Sequence, residues 1–228
     1  MLEATARSLR ESAEALLAVV VPPLCVLCQQ RLAPWERWLC GRCDLAVSMR
    51  GRPRSRALAL GDGSALEVRY ALDYTGRVSG LVWEMKYGGK PGIAGYLARF
   101  LWLGAEDVLG RDAVLVPVPL HGSRRRERGY NQSENLARAV ARPMRLAVAA
   151  GALARKRNTR SQATLARSDR VTNVLGSFQV RRQQDLEGRP VVLVDDVVTT
   201  GSTLAECARV LRNDGVEDLR ACVVASAA

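Results

Sequence analysis

Two adjacent carboxylates and a run of small residues stand together near the end of the chain. Asp195 and Asp196 follow four apolar residues at 191–194, and the segment TTGST at 199–203 comes shortly after them. The apolar run predicts a strand buried on both faces, and the spacing of apolar residues after position 203 predicts a helix. Backbone N–H groups at the start of a helix bind phosphate, while carboxylates accept hydrogen bonds from sugar hydroxyls. The sequence therefore predicts a sugar-phosphate site at a strand end, where open α/β sheets bind ligands.

Two other phosphate-binding motifs do not fit this stretch. A P-loop needs a Lys after its second glycine, and no Lys follows Gly201, while the dinucleotide fingerprint G-x-G-x-x-G is missing. Residues 191–203 instead resemble, at every position, the phosphoribosyl pyrophosphate motif of type I phosphoribosyltransferases. The resemblance implies a site for ribose and its 5′-phosphate that is formed by Asp195, Asp196, Thr199, Thr200, Gly201, Ser202 and Thr203.

A second strand–loop–helix unit carries a basic loop. Residues 113–118 predict a buried strand that ends where prolines begin, and a helix is predicted to start near Ser133. Arginine side chains and backbone amides in the intervening loop suit a diphosphate. We assign that group to Arg124, Arg128, Gly129, Tyr130, Asn131 and Gln132. His121, the only histidine, is interpreted as a structural residue rather than a general base.

Four cysteines precede these units as two C-x-x-C pairs separated by eleven residues, namely Cys25, Cys28, Cys40 and Cys43. Four thiolates at this spacing can close a tetrahedral zinc site. Disulfides or free thiols in a core are the alternatives. The apolar run at 15–21 is too short for a membrane span and ends in prolines. We therefore expect a cytoplasmic protein without a transmembrane segment, in which disulfides are rare and zinc is favoured.

The four cysteines and the basic loop together make the family resemblance more specific. The segments VPVPLH at 116–121 and RGYNQ at 128–132, with the four cysteines, are similar to the competence protein F family from about Cys25 to the C-terminus. The resemblance implies an α/β fold: a type I phosphoribosyltransferase-like parallel sheet flanked by helices, with a small N-terminal zinc ribbon. The predicted organisation is an N-terminal helix at 1–24, the ribbon at 25–50 and the phosphoribosyltransferase-like domain at 63–228.

Two further segments could bring cations to a ligand. The family pattern includes residues of the basic segment after position 154, matched here by Arg157, Thr159, Gln162, Arg170 and Asn173. The corresponding loop of type I enzymes closes on diphosphate, which implies catalytic roles for Arg157 and Arg160 beside Asp195 and Asp196. A plain basic linker is the alternative. The corner at 86–89, which starts with Lys86, is either a second source of positive charge or an ordinary turn.

The charge distribution indicates an anionic partner. Net charge is +11, and residues 121–170 hold 13 Arg and Lys against 3 Asp and Glu. An enzyme would displace diphosphate from phosphoribosyl pyrophosphate with Mg²⁺, but no acceptor pocket is recognisable. The family resemblance instead implies handling of single-stranded DNA in natural transformation, together with proteins of the uptake machinery. A sensor of phosphoribosyl pyrophosphate without catalysis is a third hypothesis. We expect a phosphoribosyltransferase-fold protein of DNA uptake, with turnover left open.

Overall fold

The chain divides into two compact units, Met1–Met49 and Arg50–Ala228. The computed structural model describes residues 22–156 and 175–227. The predicted N-terminal helix at 1–24 therefore lies almost entirely outside the described residues. The predicted catalytic arginines, Arg157 and Arg160, and the rest of the basic segment up to 174 also lie outside them.

The first unit is organised around its cysteines. A backbone bridge joins Leu24 to Arg31, and the N–H of Cys25 donates to the carbonyl of Gln30 at 2.8 Å. Helix α1, Gly41–Ser48, follows Cys40 and carries the last cysteine of the second pair. The N–H of Val26 donates to the carbonyl of Trp38 at 3.0 Å, which ties the two halves of the unit together.

The second unit is built on a seven-stranded sheet. Its strands are β1 (Arg54–Ala59), β2 (Ala65–Tyr70), β3 (Leu72–Asp73), β4 (Val114–Pro117), β5 (Ala147–Val148), β8 (Val191–Val198) and β9 (Leu219–Ser226). The order is β1-β2-β9-β8-β4-β5, with β3 also paired to β9. Only the β1–β2 pair is antiparallel. The short strands β6 (Leu153–Arg155) and β7 (Phe178–Val180) form a separate antiparallel pair.

Helices flank this sheet. They are α2 (Gly76–Lys86), α3 (Ile93–Ala105), α4 (Gly122–Arg128), α5 (Gln132–Met144) and α6 (Ser202–Asn213). Val191 and Leu193 of β8 share a buried cluster with Leu204 and Leu211 of α6, while α5 packs against β8 and β4. The predicted parallel sheet flanked by helices is therefore confirmed. Within residues 22–156 and 175–227, no helix is long and apolar enough to cross a membrane.

Two elements beside the site were not predicted from the sequence. Strand β1 lies before position 63, so the main sheet begins earlier than the predicted start of its domain. Leu58 is its only fully buried residue, so β1 has no continuous apolar run that would predict a strand. Helix α4 lies inside the predicted basic loop. Its sequence GSRRRER has no buried residue and therefore no apolar face to reveal it.

Helix α3 approaches the sheet so closely that one glycine has no room for a side chain. A Cβ atom on Gly104 would lie 2.5 Å from the carbonyl carbon of Tyr70, whereas a Cβ on Gly95 of the same helix would meet nothing within 4 Å. We expect Gly104→Ala to lower the free energy of unfolding by about 1–3 kcal/mol through overpacking. Gly95→Ala should raise it by about 0.5–1 kcal/mol through helix propensity. Urea denaturation of both variants checks this, and equal effects would contradict it.

Candidate functional site

A cleft of about 570 Å³ lies where strands β4 and β8 end. Residues from both predicted loops line it: the two acids, the whole TTGST segment, and the basic-loop residues Arg124 and Gln132. Arg128 and Tyr130 line an adjoining pocket of about 430 Å³. Gly129 and Asn131 are not among the lining residues of either space. The structure thus brings the sugar-phosphate and diphosphate candidates to one place, mostly as parts of a single cavity.

The two acids have different surroundings. Asp196 is only 3% exposed, and its Oδ2 pairs with Nζ of Lys86 at 2.7 Å. Oδ1 of Asp195 accepts hydrogen bonds from Oγ of Ser133 at 2.8 Å and from the backbone N–H of Asp196 at 2.9 Å. Consecutive residues of a strand point to opposite faces, which explains why one acid meets helix α2 and the other meets helix α5.

Burial and charge shift the protonation of this group. Burial first, and then the negative charge of Asp196, raise the pKa of Asp195 to about 7. Burial alone would lower the pKa of Lys86, but the charge and hydrogen bond of Asp196 outweigh it and leave that pKa above its usual value. Lys86 therefore stays positive, whereas Asp195 changes charge near neutral pH. A cation or a hydroxyl donor that enters the cleft meets a carboxyl group close to its titration point.

The TTGST loop depends on one glycine. Gly201 has φ of 83° and precedes α6, and a Cβ on it would lie 2.6 Å from Cδ1 of Leu58. Oγ1 of Thr200 and Oγ of Ser202 are 2.7 Å apart. Nη1 of Arg56 in β1 lies 3.3 Å from the carbonyl oxygen of Thr199, to which it donates. The hairpin strand that the sequence did not predict therefore packs against the loop and holds it.

The basic loop is a short helix with a turn on each side. His121 caps α4, since its Nδ1 accepts from the N–H of Ser123 at 3.3 Å, in agreement with the structural role predicted for it. Gly129 ends the helix in the left-handed conformation, with φ of 81°. Nη1 of Arg128 donates to Oε1 of Gln132 at 2.6 Å. The last of these contacts fixes the direction in which the side chain of Arg128 points.

The side chains of two predicted diphosphate residues form hydrogen bonds within the protein. The hydroxyl of Tyr130 donates to the carbonyl of Met85. Asn131, 6% exposed, donates from Nδ2 to the carbonyl of Val118 at 3.0 Å, and its Oδ1 accepts from the N–H of Ser133 at 3.1 Å as the cap of α5. Their side chains therefore hold the loop in shape, and only their backbone groups are left to meet an anion.

Several cleft residues were not assigned from the sequence. Lys86 belongs to the corner at 86–89, which from the sequence could equally have been an ordinary turn. In the structure it forms an ion pair with Asp196. Arg155 ends β6 and lines the cleft; burial and the positive charge of Arg124 lower its pKa. Trp83 and Tyr87 line the cleft from helix α2. Aromatic residues at helical spacing fit a hydrophobic core as well as a ligand site. The sequence therefore did not indicate that Trp83 and Tyr87 line the cleft.

The four cysteines form a compact cluster. Their Sγ atoms all lie within 4.8 Å of one another, and those of Cys28 and Cys40 are 3.6 Å apart. A zinc ion with Zn–S bonds of about 2.3 Å sets its sulfur atoms about 3.8 Å apart, so this donor set fits tetrahedral zinc. All six cysteines lie in the described part of the chain and none forms a disulfide. The backbone N–H of Gln30 helps to lower the pKa of Cys28 to about 6.

Comparisons with known proteins agree with this arrangement. Residues 128–228 match the phosphoribosyl transferase domain model. The chain is 32% identical over 216 residues to DNA utilization protein YhgH of Escherichia coli strain K12, covering 86% of this chain and 94% of the relative. It is 33% identical over 153 residues to competence protein F of Haemophilus influenzae, covering 64% of this chain and 67% of that protein.

A solved orotate phosphoribosyltransferase from Aeropyrum pernix is also similar, with 18% identity, 80% of each chain covered and a TM-score of 0.37. That likeness is too distant to support an argument. Three findings together decide the family: the extent of the match to YhgH, the match to competence protein F and the match to the phosphoribosyl transferase domain. With its four-cysteine cluster and its parallel sheet, the chain belongs to the competence protein F family of phosphoribosyltransferase-fold proteins.

Proposed function

We propose that this protein binds phosphoribosyl pyrophosphate in the cleft where β4 and β8 end. The observation that carries the proposal is that one cavity of about 570 Å³ is lined by Asp195, Asp196, the loop at 199–203 and Arg124. The carboxylates would hold the ribose hydroxyls, and the backbone N–H groups of the loop and of the start of α6 would hold the 5′-phosphate. Arg124 and Arg128, with Arg157 and Arg160, would stabilise the diphosphate.

The donor set of the cleft also fits Mg²⁺, which prefers carboxylate and phosphate oxygens. Asp195 and Asp196 would hold it near the ribose, and Mg²⁺ would supply charge neutralisation at the diphosphate. Lys86 compensates Asp196, so the cleft does not carry two unbalanced carboxylates. In the first unit, Cys25, Cys28, Cys40 and Cys43 would bind one structural zinc ion.

We propose further that the bound sugar phosphate serves a role in DNA handling during natural transformation. The relatives are named for DNA utilization and competence, and residues 121–170 hold 13 Arg and Lys against 3 Asp and Glu. Single-stranded DNA and proteins of the uptake machinery are the proposed partners, and the cytoplasm is the proposed location. An active transferase would use the same cleft but would need an acceptor, so diphosphate release against a panel of bases distinguishes it from a sensor.

Loss of the glycine at the phosphate loop is expected to remove phosphoribosyl pyrophosphate binding. Gly201→Ala combines a φ of 83° with a Cβ 2.6 Å from Leu58, so the Leu58 side chain or the loop has to shift. Gly215→Ala is the matched control, because its φ is 92° but its Cβ would meet nothing within 4 Å. Both variants carry a similar backbone strain of about 1 kcal/mol, and only the first changes the cleft.

The measurement is calorimetry of phosphoribosyl pyrophosphate with Mg²⁺. We expect Gly201→Ala to weaken binding at least about tenfold, the equivalent of about 1.4 kcal/mol, and Gly215→Ala to bind like the unmodified protein. If the Gly201 variant keeps full affinity, the phosphate does not sit on this loop. If the unmodified protein shows no binding, the proposed ligand is wrong.

A further inference from the structure

Two exposed aromatic rings stand side by side on the wall of the cleft. Trp83 and Tyr87 are one turn apart at the end of α2 and are 55% and 60% exposed. The opposite face of that helix is buried through Val82 and Met85, so the two rings do not contribute to the core. Their centroids are 6.0 Å apart with planes at 48°, and both rings line the cleft that holds the acid pair.

A basic pocket of about 430 Å³ adjoins this aromatic pair. Among the described residues that line it, three are cations, Lys86, Arg124 and Arg128, and one is an acid, Glu127. The guanidinium carbon of Arg128 lies 4.9 Å from the centroid of Tyr87, so cation and ring form one continuous surface. The two cavities share Lys86, Tyr87 and Arg124. An anion in the basic pocket would therefore lie directly beside the aromatic pair.

We propose that Trp83 and Tyr87 stack an unpaired base of a single-stranded nucleic acid, whose neighbouring phosphate takes the place of the diphosphate in the pocket lined by Arg124 and Arg128. Bases and phosphates alternate along a single strand. A ring face beside a cationic pocket can therefore contact a base and its neighbouring phosphate at the same time. In a duplex the base faces are covered by their neighbours, so a double strand could not use this wall. The net charge of +11 favours a polyanion over a neutral partner. The inference rests on the proposed role in DNA handling and names the residues that contact the bases.

The test uses the full chain and a labelled oligonucleotide of thymidines, followed by fluorescence anisotropy at fixed ionic strength. Trp83→Leu keeps an apolar residue with good helix propensity but removes the ring, and we expect it to weaken binding roughly tenfold. Tyr87→Leu should act in the same direction. Trp102→Leu is the matched control, because Trp102 is 41% exposed on α3 and does not line either of the two described cavities.

An abasic oligonucleotide of equal length separates stacking from electrostatic attraction. It keeps every phosphate but offers no base, so the unmodified protein should bind it about as weakly as Trp83→Leu binds the thymidine strand. Trp83→Leu should cause no further loss on the abasic strand. The inference is overturned if the unmodified protein binds both strands equally, or if Trp83→Leu weakens the abasic strand as much as the thymidine strand.

Calorimetry with phosphoribosyl pyrophosphate keeps this inference separate from the proposed function. The unmodified protein is titrated in parallel, and Trp102→Leu should bind phosphoribosyl pyrophosphate with unchanged affinity, because Trp102 lines neither of the two described cavities. An unmodified protein that binds no oligonucleotide overturns both the DNA role and the stacking site. An oligonucleotide that binds with the same affinity to Trp83→Leu and Trp102→Leu overturns the stacking site alone and leaves the DNA role standing.

Discussion

Removal of zinc from the four-cysteine cluster is expected to unfold the described part of the first unit and to leave the second unit folded. Within residues 22–49, the buried apolar side chains are few, chiefly Val26, Leu32, Leu39 and Val47. A unit of this size cannot obtain its stability from such a core. Structural zinc sites in small units contribute apparent binding free energies of about 10–16 kcal/mol at neutral pH. The second unit has its own core of packed strands and helices and needs no metal.

Hydrogen exchange measured by mass spectrometry checks this expectation region by region. Before chelation, the N–H of Val26 is protected by its bond to Trp38; after chelation that protection should disappear, while β8 stays protected. Cys40→Ser should behave like the chelated protein, and chelator saturated with zinc is the control. Metal analysis should give about one zinc per chain. Disulfides between these cysteines, or unchanged protection in metal-free protein, would contradict the assignment.

The features that the sequence predicted well are those that local pattern determines. The run at 191–194 is apolar enough to be recognised as part of a strand buried on both faces, and β8 lies between β4 and β9. The cysteine spacing alone predicted the cluster that the structure forms. Strand β1 was missed because tertiary contacts stabilise it, and helix α4 was missed because it has no buried face. Arg56 of β1, for example, bonds to the carbonyl of Thr199, a residue far away in the chain.

The candidate site shows the same division between local and distant contacts. The acids and the TTGST loop are contiguous in sequence, so their common place in the cleft could be predicted. Lys86 reaches Asp196 only because α2 packs beside the end of β8, which no local pattern reveals. The interaction of Tyr130 with Met85 is of the same kind. The ion pair with Lys86 also means that Asp196 contributes to the stability of the fold as well as to the site.

Replacing the two acids one at a time is expected to separate ligand binding from stability. Asp196→Asn leaves the ammonium group of Lys86, whose side chain is 21% exposed, without its partner at 2.7 Å, and breaking a fully buried pair of this kind costs about 3–5 kcal/mol, which is the upper bound here. In Lys86→Met/Asp196→Asn the unpaired charge is gone, so we expect most of that loss to be recovered. Urea denaturation measures both changes. If Asp196→Asn is as stable as the unmodified protein, the pair does not stabilise the fold.

Asp195→Asn should instead leave the fold stable and abolish the binding of phosphoribosyl pyrophosphate. An amide keeps an oxygen that can accept the hydrogen bond of Ser133, but it lacks the charge that attracts Mg²⁺ and the ribose hydroxyls. The pH dependence of stability supplies a second readout. The pKa of Asp195 is raised from 3.8 to about 7 in the folded protein, so the folded state binds more protons than the unfolded state between these values. The stability that Asp195 contributes is therefore greatest at low pH and falls as the pH rises towards about 7.

In Asp195→Asn, the stability of the fold should no longer fall for this reason as the pH rises towards about 7. Urea midpoints measured across this pH range would show the difference. Its calorimetric titration with phosphoribosyl pyrophosphate and Mg²⁺ should give no heat of binding at neutral pH. Lys86→Met/Asp196→Asn should also fail to bind, although it is stable, because Asp196 supplies the second carboxylate. Unchanged affinity in Asp195→Asn and in the Lys86→Met/Asp196→Asn variant would mean that the carboxylates are structural groups and that the ligand site lies elsewhere.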